Sequence, residues 1–199
     1  MNYESMKFFY AFSCAVLCLV VLSPTLAAIV TFPEGQKFSE LGILGPNHML
    51  EGYPFSISTN ELCKVYLDLS NYMGGLEYYA VYVKLRNQSE PLPDPEAGLP
   101  SSLEPIFQYR IFLMDNATWE REFSFSFEDV SFEGNVSRVS RLSINGYDVS
   151  VNKVAVWDDA NSGFYYQLFF ELWIYNATAS SFQFHKPFVG LWLNVTRPL

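Results

Sequence analysis

Two histidines, 21 carboxylates and three cysteines are the groups in this 199-residue chain that could carry proton transfer, metal ligation or nucleophilic chemistry. His48 follows a Gly45-Pro46-Asn47 turn, and His185 precedes Lys186-Pro187 at the expected start of the last strand. A zinc site or a nucleophile–base pair would need one of them beside further ligands or an activated hydroxyl. The chain has no Gly-x-Ser-x-Gly, no His-Glu-x-x-His and no phosphate-cradling glycine loop. Both histidines are therefore read as structural or solvated. Asp158, Asp159 and Asn161 place oxygens as a calcium loop begins, but Phe169 or Phe170 stands where the closing glutamate belongs. An Asp/Asn/Gly turn is the simpler reading. Glu120, Glu122 and Glu171 could supply a carboxylate pair for glycoside hydrolysis, although Glu120 and Glu122 fall on the polar parity of a regular strand. No catalytic residue, metal or cofactor is assigned, and the chain is expected not to be an enzyme.

The cysteines and the first thirty residues point to a compartment. Phe8–Leu22 carries no charge, and apolar character resumes from Leu26 to Val30 after Ser23-Pro24-Thr25. As a secretory signal, Pro24 ends the helix and Thr25-Leu26-Ala27 offers small residues to a signal peptidase. As a signal anchor, Phe8–Val30 is long enough for roughly 30 Å of hydrocarbon. A buried core helix is the third reading. Either of the first two places residues 31–199 outside the cytoplasm, membrane-anchored at the cell surface or secreted. Cys14 and Cys18 lie inside the apolar segment, leaving Cys63 alone in the exported part. No intramolecular disulfide or thiolate zinc site can form there, and Cys63 is expected to be a buried free thiol.

Five Asn-x-Ser/Thr sequons, at Asn87, Asn116, Asn135, Asn176 and Asn194, strengthen the export argument. Three or more are expected to be modified in a host with the machinery. A formal charge of -9, from 12 basic and 21 acidic side chains, argues against nucleic acid, whose affinity comes mainly from cationic side chains meeting phosphates. With half the residues hydrophobic, there is ample apolar surface to offset chain entropy.

The elements that must position these groups are strands. Cys63, Val65, Leu67 and Leu69 alternate with polar residues; Tyr79, Val81, Val83 and Leu85 follow a Gly74-Gly75 turn. Trp119, Arg121, Phe123, Phe125 and Phe127 form one row opposite Glu120, Glu122, Ser124, Ser126 and Glu128. Further strands are predicted at Leu41–Leu44, Phe55–Ser58, Ile106–Leu113, Tyr147–Trp157, Phe164–Tyr175 and Phe188–Thr196. Five prolines between Gln88 and Pro105 make that segment an extended surface loop. The pattern predicts an all-β, immunoglobulin-like β-sandwich with a long proline-rich loop, preceded by one N-terminal hydrophobic helix. Phe164–Tyr175 is apolar on both faces. It is either a central strand beneath the long loop, a strand turning Tyr165, Phe169, Trp173 and Tyr175 toward a partner, or a sugar-stacking platform.

Phe38-Ser-Glu-Leu-Gly-Ile-Leu-Gly-Pro-Asn47, Gly52-Tyr-Pro54, Leu69-Ser-Asn-Tyr-Met-Gly-Gly75, Tyr78–Gln88 with Pro91-Leu-Pro93, Trp119-Glu120 and Leu191-Trp-Leu-Asn-Val195 occur in that order. Over residues 36–196 this resembles the archaeal domain of unknown function 1616. The resemblance implies an extracytoplasmic, membrane-associated archaeal protein with an Ig-like β domain and no assigned reaction. Members often carry several membrane helices before this domain, whereas one apolar segment is present here. The position of Tyr72 is often a histidine in that family.

Two functional classes follow. One is a non-enzymatic, glycosylated surface module for adhesion, envelope assembly or partner binding. Its partners would be another envelope protein or copies of itself, with a membrane contact through residues 8–30 if that segment is uncleaved. Cleavage at Ala27 would further allow the next segment to donate a strand to a neighbour. The other class is a carbohydrate-active protein, either a lectin-like binder or a weak glycosidase.

Overall fold

The computed structural model describes residues 3–30 and 36–197. It divides into two compact units, Met1–Lys37 and Phe38–Leu199. The first holds helix α1, Tyr3–Val30. This helix runs through Pro24 rather than ending there, although proline leaves the Val20 carbonyl without its usual helical donor. Side chains of α1 are described only at residues 6–10 and 12–20. Among the described residues no helix is long and apolar enough to cross a membrane, so the single-span reading of residues 8–30 rests on the sequence alone. The strand-donation idea concerns residues 31–35, which lie outside the described residues.

The second unit is an all-β sandwich of ten strands: β1 (Phe38–Leu44), β2 (Ser56–Ser58), β3 (Cys63–Tyr72), β4 (Glu77–Asn87), β5 (Phe107–Leu113), β6 (Thr118–Glu133), β7 (Val136–Ile144), β8 (Tyr147–Val156), β9 (Tyr165–Asn176) and β10 (Ser181–Thr196). One sheet has the order β1-β3-β6-β7-β8 and the other β2-β10-β9-β4-β5. The first two strands divide one edge between the sheets: β1 pairs antiparallel with β3, and β2 pairs parallel with β10. With β4, β9 and β10 adjacent, this is an immunoglobulin-like arrangement. The strand beside β3 is followed by two outward hairpins, β6-β7-β8, before the chain crosses back to β9. Those additions account for the size of the domain.

Alternation builds the core. Val65, Leu67 and Leu69 of β3 and Phe123, Phe125 and Phe127 of β6 face Val81, Val83, Leu168, Phe170 and Leu172 of the opposite sheet, all buried. Phe123 meets Phe170 edge-to-face across the gap, with centroids 5.0 Å apart. Each such fully buried side chain contributes roughly 1.5–3 kcal/mol of transfer free energy. Cys63 is buried and free, and burial, with Glu61 adding repulsion, pushes its thiol up to about 11.

Two strand expectations need correction. Val136–Ile144 is a full strand that the alternation rule misses. Its buried residues are Ser137 and Val139, then Leu142 and Ile144. A register shift between Val139 and Arg141 changes the parity midway. The last strand begins at Ser181 rather than Phe188, because a bulge between Phe184 and Phe188 holds His185-Lys186-Pro187, with Lys186 at φ 77°.

Candidate functional site

The groups with chemical potential do not converge on one centre. Glu120 and Glu122 lie on β6, where Glu120 pairs with His48 (2.7 Å) and Glu122 with Lys64 (3.1 Å). Glu171 lies on β9, in the other sheet. Glu171 is thus set apart from Glu120 and Glu122, which share one exposed face of β6. His48 stacks on Tyr66 at 3.8 Å on the exposed face. His185 Nε2 stands 3.1 Å from Ser39 Oγ, which is itself 2.7 Å from the Tyr79 hydroxyl. Tyr79 in turn donates to Asn71 Oδ1 at 3.0 Å. Ser39 is 6% exposed, so this chain of hydrogen bonds ties β10, β1, β4 and β3 together rather than presenting a nucleophile. Burial lowers the His185 pKa and raises that of Tyr79.

Asp158 is the anchor of a turn. Its Oδ1 accepts from the Ala160 and Asn161 amides, at 3.0 and 3.1 Å, and its Oδ2 from Asn161 Nδ2 at 2.8 Å. Those bonds, first the Asn161 side chain, pull the carboxyl below its ordinary range. Among the described residues no group of three or more His, Cys, Asp or Glu is placed to hold a metal ion.

The outward face of the β2-β10-β9-β4-β5 sheet gathers aromatic and charged side chains. Paired register puts one set of side chains on this face in successive rows. At one end lie Phe112, Tyr78, Tyr175 and Phe182: Tyr78 stacks on Phe112 at 4.1 Å, and the Arg110 guanidinium sits 4.0 Å from the Phe182 ring centre. Phe112 is 69% exposed. In the middle, Lys84 and Glu171 form an ion pair of 2.9 Å beneath the proline-rich loop. Ser101 of that loop receives a hydrogen bond from Lys84 Nζ on its carbonyl and donates its amide to Glu171 Oε1, both 2.8 Å. At the far end lie Arg86, Gln167 and Trp192.

This geometry resolves the strand that is apolar on both sides. Of the four aromatics considered for a partner, Phe169 and Tyr165 are buried, with Tyr165 donating to the Asn161 carbonyl. Trp173 is half-buried, its indole N–H donating to Glu171 Oε2 at 3.0 Å, and Tyr175 is 37% exposed. β9 is thus a central strand under the long loop, and only its Trp173–Tyr175 end joins an open surface. Arg110 and Phe112 escape the sequence reading because nothing in β5 by itself shows which of its faces stays open, and Phe182 because it lies in the part of β10 before the predicted start at Phe188.

The sequons separate into two groups. Asn116, Asn135 and Asn176 stand at turns or strand ends; Asn116 and Asn135 are exposed and Asn176 half-buried. Asn87 Nδ2 donates to the Val154 carbonyl at 2.8 Å, while its Oδ1 accepts from Ser89 and Glu90. Asn194 accepts from the Phe164 amide and packs where a Cβ at Gly163 would lie, 2.4 Å from its Oδ1.

No family model matches the chain, and none of the curated proteins matches it. Among solved structures, a β-glucosidase from Listeria innocua in complex with gluconolactone is similar at 10% identity, covering 80% of this chain and 16% of that one, with a TM-score of 0.38. A β-glucosidase from Erythrobacter marinus is similar at 9% identity over 79% and 16%, also at 0.38. A chain of the complex between zinc 2-glycoprotein and prolactin inducible protein, from human seminal plasma, is similar at 10% identity over 81% and 98%, again at 0.38. The chain spans about a sixth of the glucosidases' length. Likeness at this level carries no argument about function.

Proposed function

We propose that this chain is a non-enzymatic, N-glycosylated protein of the archaeal cell surface, and that it binds another envelope protein. The observation that carries the reading is the aromatic cluster gathered around Arg110, in which Phe112 and Tyr175 are exposed over half-buried Tyr78 and Phe182. Aromatic rings and arginine are the side chains that most often dominate binding energy at protein interfaces. They sit here on a regular sheet, so little ordering entropy is lost on contact. The apolar first thirty residues, the sequons at turns and the resemblance to the domain of unknown function 1616 support an extracytoplasmic placement.

The test is site-specific photo-crosslinking in the native envelope, with benzoylphenylalanine in place of Phe112 and, as a control, of Glu122 on the opposite sheet. A discrete adduct from position 112 alone is expected. Equal labelling from both positions, or none from 112, would remove the proposed interface; an adduct to a second copy would reassign it to self-association.

A further inference from the structure

A cavity of about 320 Å³ lies at the other end of the same face, lined by Phe55, Gln88, Asp158, Asn161, Tyr165 and Trp192. We propose that it is a binding site for a neutral hexopyranose unit of a glycan. This inference stands independently of the protein-binding face.

The walls are aromatic. Trp192 is 37% and Phe55 51% exposed, and the Phe55 and Tyr165 rings lie 6.0 Å apart at 43°. The polar groups around them keep unused hydrogen-bonding capacity of both kinds. Asp158 Oδ2 has taken one donor, from Asn161 Nδ2, and a carboxylate oxygen has room for two. The Asn161 amide donates to that carboxylate, leaving its Oδ1 open. The Gln88 Nε2 donates to the Val156 carbonyl at 3.2 Å, leaving its Oε1 open. Each amide also keeps its second N–H, so a ligand must bring donors, acceptors and an apolar face together. The hydroxyls of a pyranose supply the donors and acceptors, and its C–H face supplies the surface that stacks on an aromatic ring.

Two other ligand classes meet this surface badly. An acidic sugar would set its carboxylate against that of Asp158. A quaternary ammonium suits aromatic walls with a carboxylate, but Arg86 opposes it. The Arg86 guanidinium is buried, lies 5.3 Å from the Trp192 ring centre, and makes no ion pair among the described residues. Its two terminal nitrogens go to Gln167 Oε1 (3.0 Å) and the Gln88 carbonyl (2.9 Å), and its Nε is unpartnered. A buried cation beneath the indole, offset only in part by Glu90, weakens the site for a second cation. The same contact holds Trp192 and the Gln88 backbone in place before any ligand arrives, which is how a small site keeps its affinity.

The volume is at the lower end of the range for small-ligand sites, roughly 300–1,000 Å³. A single sugar unit there should bind with a dissociation constant of about 1 mM. The experiment is titration of the full chain in detergent with methyl β-D-glucopyranoside, methyl β-D-galactopyranoside and methyl α-D-mannopyranoside. Saturation-transfer NMR and tryptophan fluorescence would read binding, with methyl β-D-glucuronide and choline as counter-probes. At least one neutral glycoside should bind, and the glucuronide and choline should bind about tenfold more weakly or not at all. Trp192→Ala should weaken that glycoside at least about tenfold, and Glu122→Ala, on the opposite sheet, should leave it unchanged. Asp158→Asn, at a solvent-facing turn, keeps the test open should Trp192→Ala unfold, and should weaken binding about fivefold. Silence from all three glycosides, tighter binding of choline or the glucuronide, or binding that Asp158→Asn leaves unchanged would each overturn the proposal.

Discussion

Lys84 Nζ and Glu171 Oε2 stand 2.9 Å apart with 3% and 0% of their side chains exposed. Neighbouring strands β4 and β9 supply the two charges, and the proline-rich loop supplies the roof. Glu171 accepts from the Ser101 amide and the Trp173 indole, while Lys84 also donates to the Ser101 carbonyl. A buried ion pair survives desolvation only when its remaining hydrogen-bonding capacity is met in this way.

Removing one partner strands the other charge in the interior. Glu171→Gln or Lys84→Met should each lower stability by about 3–5 kcal/mol in urea denaturation. The double variant Lys84→Met/Glu171→Leu should recover a substantial part of that loss. Additive losses would show that the two side chains do not act as a pair.

His185 should make the sandwich sensitive to mild acid. Burial holds its folded imidazole below the ordinary value of 6.5, so the unfolded chain takes up the proton first. This contribution is complete above about pH 6.5 and is lost as the pH falls toward the folded value. The melting temperature should therefore drop between pH 7.5 and 5, and His185→Gln should flatten that part of the profile. A profile unchanged by the substitution would count against the assignment.

Glycan occupancy should follow side-chain engagement rather than sequon count. The Asn116 and Asn176 side chains bond only to near neighbours in the chain and Asn135 is exposed, whereas Asn87 Nδ2 donates to the distant Val154 carbonyl and Asn194 Oδ1 accepts from the distant Phe164 amide. Glycopeptide mass spectrometry of the native protein should find glycan at the first three and bare peptide at Asn87 and Asn194. Full occupancy at Asn194 would mean that modification precedes closure of β10.

Gly45 should resist replacement. A Cβ there would lie 1.8 Å from the Glu51 carbonyl oxygen, which is backbone and cannot swing aside. The Gly45 amide also bonds the Met49 carbonyl at 2.7 Å, closing the turn. Gly45→Ala should cost about 1–3 kcal/mol in chemical denaturation, while Gly75→Ala, with nothing within 4 Å, should cost less than about 1 kcal/mol.

Most of the sandwich is legible in the sequence because a strand with one buried face must alternate. Cys63–Leu69 does so without interruption, and Tyr79–Leu85 and Trp119–Phe127 keep one row of apolar residues, although Ala80, Lys84 and Ser126 are also buried and Arg121 is exposed. Val136–Ile144 is illegible for the converse reason. A bulge shifts its parity, and the apolar residues at 136, 139 and 142 then fit neither a strand nor a helix period. The open aromatic face depended on pairing between β4, β5, β9 and β10, which are far apart in the chain. No local pattern brings Phe112, Tyr78 and Phe182 together. Glu171 likewise reads as a charge on an apolar strand until Ser101 and Lys84 are seen around it.

The division of the first edge between two sheets sets how the domain carries load. Tension applied at Phe38 and Thr196 pulls from opposite ends, because Ser39 lies beside His185 at the start of β10; β1 is drawn along its own axis, and its pairs from Phe38–Tyr72 to Leu44–Tyr66 are loaded together. Once β1 is free, the pull passes to β2, which runs parallel to β10. There both strands are drawn along their own axes in opposite directions, and the Ser56–Ser58 pairings must yield together. A tether at this surface would thus lengthen by paying out β1 first, with the core behind β2 still closed.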